Sequence, residues 1–523
     1  MNRRAALLLA FVVLLGGPAY AQPWQVERGM PHEPVVVVAV EADPGQLNPA
    51  ISTASPVHRV ADSLFNGLVS VAADGSIRPD LAEGWSASDG PNGPETVWRF
   101  TLRDGIRWHD GVAFSAEDVA FTLQEVLFKH HARARAGLAP AVEAVEAPDA
   151  RTVIIRLKRP HPALLAQLDV TEAAILPRHL YEGTDPLTNP YNMRPVGTGP
   201  YRFVSYEAGR QTVFARNDTY FKMRQPAVGR LVFRVIPEAA DQVAALRSGE
   251  VDYLPRVSAE DARLLAADAG PDGPLVLRHV HGGPGGSNCQ MVLAFNLDRP
   301  ALSSLALRRA VAMGIDRQEL VDDLVPGQGR VARAPLSAGL ADFANAAQVT
   351  LPPHDPAAAK AAIAAVAPPP MVLLSFTNFA PWAEAIRADL APLGLTVETR
   401  TMAPRDFEAA VFQRRDFDMA LISYCQGPDP AVGAARMYSS QSIGLPFGNA
   451  AGWRDATVDE ALDDAVGRRH HRILAWASIQ DKAAAALPYV WLADTDFTVA
   501  WRRELMGFSP WSGQFAESVS PRR

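Results

Sequence analysis

The stretch Val196-Gly197-Thr198-Gly199-Pro200-Tyr201-Arg202-Phe203, continued by Arg216-Asn217-Asp218-Thr219-Tyr220-Phe221, decides the reading of this chain. Gly197 and Gly199 permit a tight backbone path, and Pro200 fixes φ. Tyr201 to Val204 then reads as a strand, so a crossing segment enters a sheet here and the chain changes lobes.

Working outward, Leu231 to Ile236 reads as a strand, Asp241 to Ser248 as a helix ended by Gly249, and Glu250 to Leu254 as another strand. That order suits an α/β lobe. Upstream, Val35 to Val40 has a buried-strand pattern, followed by a turn over Pro44 to Pro49 and a helix within Ile51 to Phe65 that aims Val57, Val60, Ala61, Leu64 and Phe65 at a core. Between them, Val69 to Val71, Ile77 to Trp85, Thr96 to Leu102 and Ile106 to Trp108 alternate as strands. Asp104-Gly105 and Asp110-Gly111 are hairpin turns, and Ser115 caps a helix with an acidic first turn. Downstream, Ala357 to Val366, Pro381 to Leu393, Val458 to Val466 and Ile473 to Leu487 are expected as helices. Met371 to Phe376, Leu395 to Glu398, Tyr489 to Trp491 and Phe497 to Ala500 are expected as strands, giving a second α/β lobe.

The opening stretch, the run from Phe100 to Val119 within Trp98 to Thr122, and Phe295 to Leu320 together resemble the bacterial extracellular solute-binding proteins of family 5, the peptide/nickel class that serves ABC importers. The resemblance implies an α/β, periplasmic binding protein-like fold of class II, cluster C type: two α/β lobes joined by hinge strands, with an extra small α+β domain. On that pattern residues 22–65 and 191–288 form lobe I, 66–190 the small second domain, 289–494 lobe II, and 495–523, with the tail Gly507 to Trp511, return to lobe I. It also implies an oligopeptide or dipeptide enclosed between the lobes, an ABC permease in the inner membrane as partner, and a monomer.

Site residues follow from the same resemblance. The loop before the first helix touches ligand in the family, which nominates Thr53 and Ser55, although Ser55-Pro56 is also a ready helix start. Loops at Pro326 to Gly329 and Ala334 to Ser337 reach toward the ligand. In peptide binders an acid following an aromatic residue pairs with the ligand's ammonium. Here the loop is Tyr424-Cys425-Gln426-Gly427-Pro428-Asp429-Pro430. Tyr424 takes the aromatic place, but Gln426 or Gly427 stands where the carboxylate belongs. Asp429 is either its substitute or the organiser of a Pro-Asp-Pro turn. Gln426 both donates and accepts, which suits a neutral polar ligand, so an opine, oligosaccharide, modified peptide or conjugate is the alternative cargo.

The first twenty-one residues have a basic start at Asn2-Arg3-Arg4, an apolar run from Ala5 to Leu15 and a small-x-small site at Ala19-Tyr20-Ala21. They read as a cleaved secretory signal, too short to span a bilayer roughly 30 Å thick. No cysteine follows that site, so a periplasmic protein without a lipid anchor, beginning at Gln22, is expected. About 500 mature residues, 48% of the chain apolar, exceed a single core. A net charge of −7 and no basic stretch with interleaved aromatics argue against nucleic acid as partner. The only cysteines, Cys289 and Cys425, sit in an exported chain where oxidation is permitted, and the resemblance implies that they pair. Such a bridge is worth up to about 4 to 5 kcal/mol by chain entropy.

Chemistry other than binding finds little support. There is no Gly-x-Ser-x-Gly elbow, His-Glu-x-x-His or phosphate loop. His109, flanked by Asp104 and Asp110, is read as an exposed polar turn residue, so no enzyme activity is expected against the alternative of a secreted hydrolase. A sensor or chaperone that binds peptide shares every feature used so far. His279 and His281, at i and i+2, can share a metal if extended, but no carboxylate or cysteine near them in sequence completes a set, and no metal or cofactor is expected.

Overall fold

The computed structural model describes residues 33–521 apart from 54, 132, 224–225, 284–285, 287, 346, 446, 468–470, 508 and 510–514. The expected export signal and most of the 507–511 tail lie outside the described residues. Among the described residues no helix is long and apolar enough to cross a membrane.

The run of valines at Val35–Val40 forms the middle strand of a seven-stranded sheet, in the order Leu275–Val280, Phe497–Arg502, Tyr253–Val257, Val35–Val40, Arg230–Val235, Gln211–Arg216 and Tyr201–Glu207. It runs parallel to both neighbours. Alternate residues enter different cores: Val36, Val38 and Val40 pack with Leu231, Phe233, Phe100 and Trp108, whereas Val37 and Ala39 pack with Val232, Val243 and Leu246. A strand covered on both faces needs apolar residues at every position, which is why the sequence there is continuous rather than alternating. The helix Ala239–Ser248 covers the second face and ends, as expected, on Gly249 in the left-handed conformation.

A four-stranded antiparallel sheet, in the order Ala82–Gly90, Gly93–Leu102, Thr152–Leu157 and Val142–Asp149, builds the expected small-domain region, and its core runs unbroken into the first face of the large sheet. A six-stranded sheet, in the order Gly329–Val331, Tyr489–Thr495, Cys289–Phe295, Met419–Cys425, Met371–Phe376 and Val397–Met402, organises a separate core rich in Leu, Phe, Tyr and Trp.

The chain passes between the two large sheets at 281–288, joining Leu275–Val280 to Cys289–Phe295. It returns through the single residue Asp496, between Tyr489–Thr495 and Phe497–Arg502. Residues 197–201 have a related role, leading from the small-domain region to the edge strand Tyr201–Glu207. Its glycines are there for close approach. A Cβ on Gly197 would stand 1.7 Å from the Leu64 carbonyl oxygen at the end of the helix Ser55–Leu64.

His109 departs from the expectation of an exposed turn residue. Its backbone N–H donates to Gly197 O (2.9 Å), its Nδ1 accepts from Gly197 N–H (3.1 Å), and its Nε2 lies 3.0 Å from Gly199 O. With Nδ1 accepting, Nε2–H is the donor, so the ring is neutral. Burial holds its pKa down at about 4. The turn at Asp110-Gly111 therefore presents His109 as a clasp on the 197–199 segment.

Candidate functional site

A cavity of about 350 Å³ is lined by residues of the first lobe, the small-domain region and the second lobe. Its walls come from the first lobe and small-domain region (Thr53, Arg59, Arg133, Glu172, Arg256), from the second lobe (Cys289, Gly427, Gly433) and from the return segment (Thr495, Asp496). Both large sheets contribute to the lining, through Val38, Phe233 and Tyr253 of one and Cys289, Cys425 and Thr495 of the other.

Electrostatics distinguishes the walls. Arg59 donates to Glu41 Oε1 (2.8 Å), and Arg133 pairs with Glu172 Oε2 (3.0 Å) while a second nitrogen lies 3.3 Å from His58 Nε2. Burial and the Arg133 charge together press the His58 ring down to about 3, so it is neutral and able to accept from Arg133. Burial raises Glu172 above the ordinary carboxylate range despite Arg133 and Arg436. Arg256 lies on the strand Tyr253–Val257. It is surrounded by protein yet its side chain is solvent-accessible, because it projects into the cavity. Burial and the neighbouring Arg59 lower its pKa, against the pull of Glu41. It makes no hydrogen bond or ion pair among the described residues.

Of the residues nominated from sequence, Thr53 and Gly427 line the cavity. Gly427 has φ +72, and Asn288 Nδ2 donates to its carbonyl (2.9 Å), tying the loop to the outgoing crossing segment. The Ser55 side chain lies outside the described residues. Cys289 and Cys425 are joined in a disulfide as directly paired strand neighbours, and both face the cavity.

Tyr424 and Gln426 are placed elsewhere. Side chains alternate along Met419–Cys425, so with Cys425 toward the cavity Tyr424 points into the second lobe's core, where its hydroxyl donates to Gly448 O (2.6 Å). Gln426 is fully buried, accepting from Ser337 N–H (2.8 Å) and donating to Gln290 Oε1 (3.3 Å). The loop at 334–337 thus closes on Gln426. Asp429 caps the short helix Pro430–Gly433 by accepting from Ala431 N–H (2.8 Å) and pairs with Arg472. This is the turn-organising role weighed for it from sequence.

Sequence reading passed over Arg59, Arg133, Glu172 and Arg256. A lone arginine within an otherwise apolar strand at Arg256 was the available signal; the other three show their convergence only in three dimensions.

Comparison with known proteins agrees with this architecture. The model of the bacterial extracellular solute-binding proteins, family 5, matches residues 76–444. The chain belongs to that family. It is accordingly a substrate-binding protein of an ABC importer, a class that captures solutes and is not enzymatic. Among relatives, it is 26% identical to the probable D,D-dipeptide-binding periplasmic protein DdpA of Escherichia coli (strain K12), over 91% of each chain. It is 28% identical to protein XP55 of Streptomyces lividans, over 94% of this chain and 90% of that one. Its fold matches the oligopeptide-binding protein AppA from Bacillus subtilis in complex with a nonapeptide (TM-score 0.81, 21% identity, 94% and 99% of the chains). It equally matches AgaA from A.tumefacien R10 in complex with agropinic acid (TM-score 0.81, 23% identity, 94% and 99%).

Proposed function

We propose that this protein captures a short peptide, or a peptide-like solute, by its carboxylate in the cavity between the lobes and delivers it to an inner-membrane ABC permease. Arg256 carries the reading: a solvent-accessible guanidinium facing the cavity, with no hydrogen bond or ion pair among the described residues, is matched by a ligand carboxylate through charge-assisted hydrogen bonds. Thr53 and the backbone at Gly427 would offer neutral polar contacts. Glu172, already shared with Arg133, is one of three cavity acids, with Asp169 and Asp496, that could meet a ligand ammonium in place of the one missing from the Tyr424 to Asp429 loop.

The volume falls at the small end of the usual range for ligand pockets, roughly 300–1,000 Å³, which supports a dipeptide-sized cargo, as does the name of the E. coli relative. A second reading, a conjugate of the opine type, is supported by the agropinic acid held by one structural neighbour and by a lining in which Arg59, Arg133 and Arg256 stand with Asp169, Glu172 and Asp496. Export to the periplasm with cleavage after Ala21 completes the proposal.

The test is a thermal-shift screen of ligand-stripped protein against dipeptides with free, N-acetylated or C-amidated ends, alongside opines. A ligand at 100 times its Kd stabilises by about 2.7 kcal/mol. Amidation is expected to abolish the shift, and acetylation to weaken it less. Equal stabilisation by amidated and free dipeptides would remove Arg256 from the site.

A further inference from the structure

The return segment between the lobes carries a second constellation, outside the contacts assigned to the solute. His279, near the end of Leu275–Val280, pairs in register with Thr498, and its Nδ1 lies 3.2 Å from Thr498 Oγ1. That contact directs Nε2 to within 3.5 Å of Asp496 Oδ2. His281, two residues on, places Nδ1 2.9 Å from the same oxygen. The two rings meet edge to face with centroids 4.3 Å apart. One donor atom from each of the three residues lies within 4.8 Å of the others.

We propose that His279, His281 and Asp496 form a binding site for a divalent transition metal ion of the zinc or nickel class at the hinge. Tetrahedral coordination at about 2.0–2.1 Å separates donor atoms by about 3.3–3.4 Å. The two separations from Asp496 Oδ2, 3.5 and 2.9 Å, bracket that value. Two imidazoles and one carboxylate favour a borderline metal over calcium or magnesium, which take oxygen ligands in larger number. Supporting contacts orient the set. Gly282 N–H donates to Asp496 Oδ1 (3.0 Å), leaving Oδ2 for the metal. Nδ1–H of His279 donating to Thr498 Oγ1 is the tautomer that frees Nε2, and Gln328 Nε2 holds the same hydroxyl oxygen at 3.0 Å.

The resident cation near this carboxylate is Arg330, whose Nη1 lies 3.4 Å from Asp496 Oδ2 on a side chain 42% exposed. It can swing into solvent when a metal arrives. His281, 68% exposed, is likewise free to adjust its rotamer. Metal at Nδ1 would replace the contact between His281 and Asp496, with the ring N–H carried on Nε2 instead. His279 lies in the strand that leads into the outgoing passage, His281 begins that passage, and Asp496 is the return passage. An ion shared by all three would pin the crossing segments together, beside a cavity that Asp496 also lines.

The test uses tag-free, chelator-treated mature protein without added solute, so its outcome does not depend on the proposed cargo. Calorimetric titration with zinc and with nickel should give one ion per chain. His279→Ala, His281→Ala and Asp496→Asn should each weaken binding at least 10-fold. His354→Ala, at another His–Asp pair (3.1 Å to Asp316), should leave it unchanged. Calcium and magnesium should give no heat above dilution. Cobalt titration of the wild-type chain adds a readout independent of variant folding: a tetrahedral visible spectrum is expected. An octahedral spectrum, the absence of 1:1 binding, or full zinc affinity in the His279→Ala/His281→Ala double variant would each overturn the proposal, leaving Asp496 as an ion-pair partner of His281 and Arg330.

Discussion

Replacing Arg256 by Gln should separate affinity from stability in a direction that ordinary cavity-lining mutations do not take. Arg256 has no hydrogen bond or ion pair among the described residues to abandon, is disfavoured in its charged form by surrounding protein, and stands near Arg59 with the same charge, against only the longer-range pull of Glu41. Its loss should leave the stability of the solute-free protein within about 1 kcal/mol of wild type, and the relief of repulsion acts toward higher stability. A hydrogen bond to a charged group contributes about 1.5–3 kcal/mol, so affinity for a free dipeptide should fall about 10- to 150-fold. The assay is calorimetric titration of wild type and Arg256→Gln with the same dipeptide carrying a free or an amidated C-terminus, together with urea melts of the solute-free proteins. In that cycle the variant should gain nothing from the free carboxylate. If the penalty for amidation were the same in both proteins, the coupling between Arg256 and the ligand carboxylate would be zero, and Arg256 would not hold that carboxylate.

The clasp at His109 makes a pH-dependent claim. Its folded pKa, about 4, lies below its ordinary 6.5, so its contribution is complete above pH 6.5 and is lost as pH falls through 4. The loss reaches about 3 kcal/mol, and urea midpoints of wild type should converge on those of His109→Gln across that window; parallel curves would refute it. At neutral pH, His109→Ala should cost about 2–3 kcal/mol through two broken hydrogen bonds to the 197–199 segment, read as a lower urea midpoint. Gly197→Ala places a methyl 1.7 Å from Leu64 O and should prevent folding or cost more than about 3 kcal/mol; a soluble variant with a wild-type melt would contradict the close approach. Replacing Cys289 and Cys425 by Ala opens a loop with a sequence separation of 136 and should lower stability by about 2–4 kcal/mol, with an unchanged midpoint as the contrary result.

Local chemistry was legible in the sequence. Met371 to Phe376 reads as a strand because an apolar run follows three helix-stopping prolines, and the structure has the strand Met371–Phe376. Gly249 ends its helix because only a residue tolerant of positive φ turns the chain there. The resemblance carried in Phe100 to Val119 extended such local readings to the family and to the pairing of Cys289 with Cys425.

What the residues did not reveal alone is which side chains share a space. Tyr424 and Cys425 are adjacent in sequence, yet one enters a core and the other a cavity, because strand alternation separates them by half a turn of pleat and the pairing with Cys289–Phe295 decides which face is which. His279 and His281 lacked a carboxylate in sequence, and Asp496, 215 residues beyond His281, supplies one only because Leu275–Val280 pairs antiparallel with Phe497–Arg502. Arg59, Arg133 and Arg256 likewise converge from separate elements of the first lobe and small-domain region. The sequence by itself determined the elements, the turns and the need for two covered sheets, since these follow from backbone preference and apolar periodicity over a few residues. The tertiary structure alone decided the charge of the site, because electrostatic interaction depends on distances through space that only the pairing of remote strands sets.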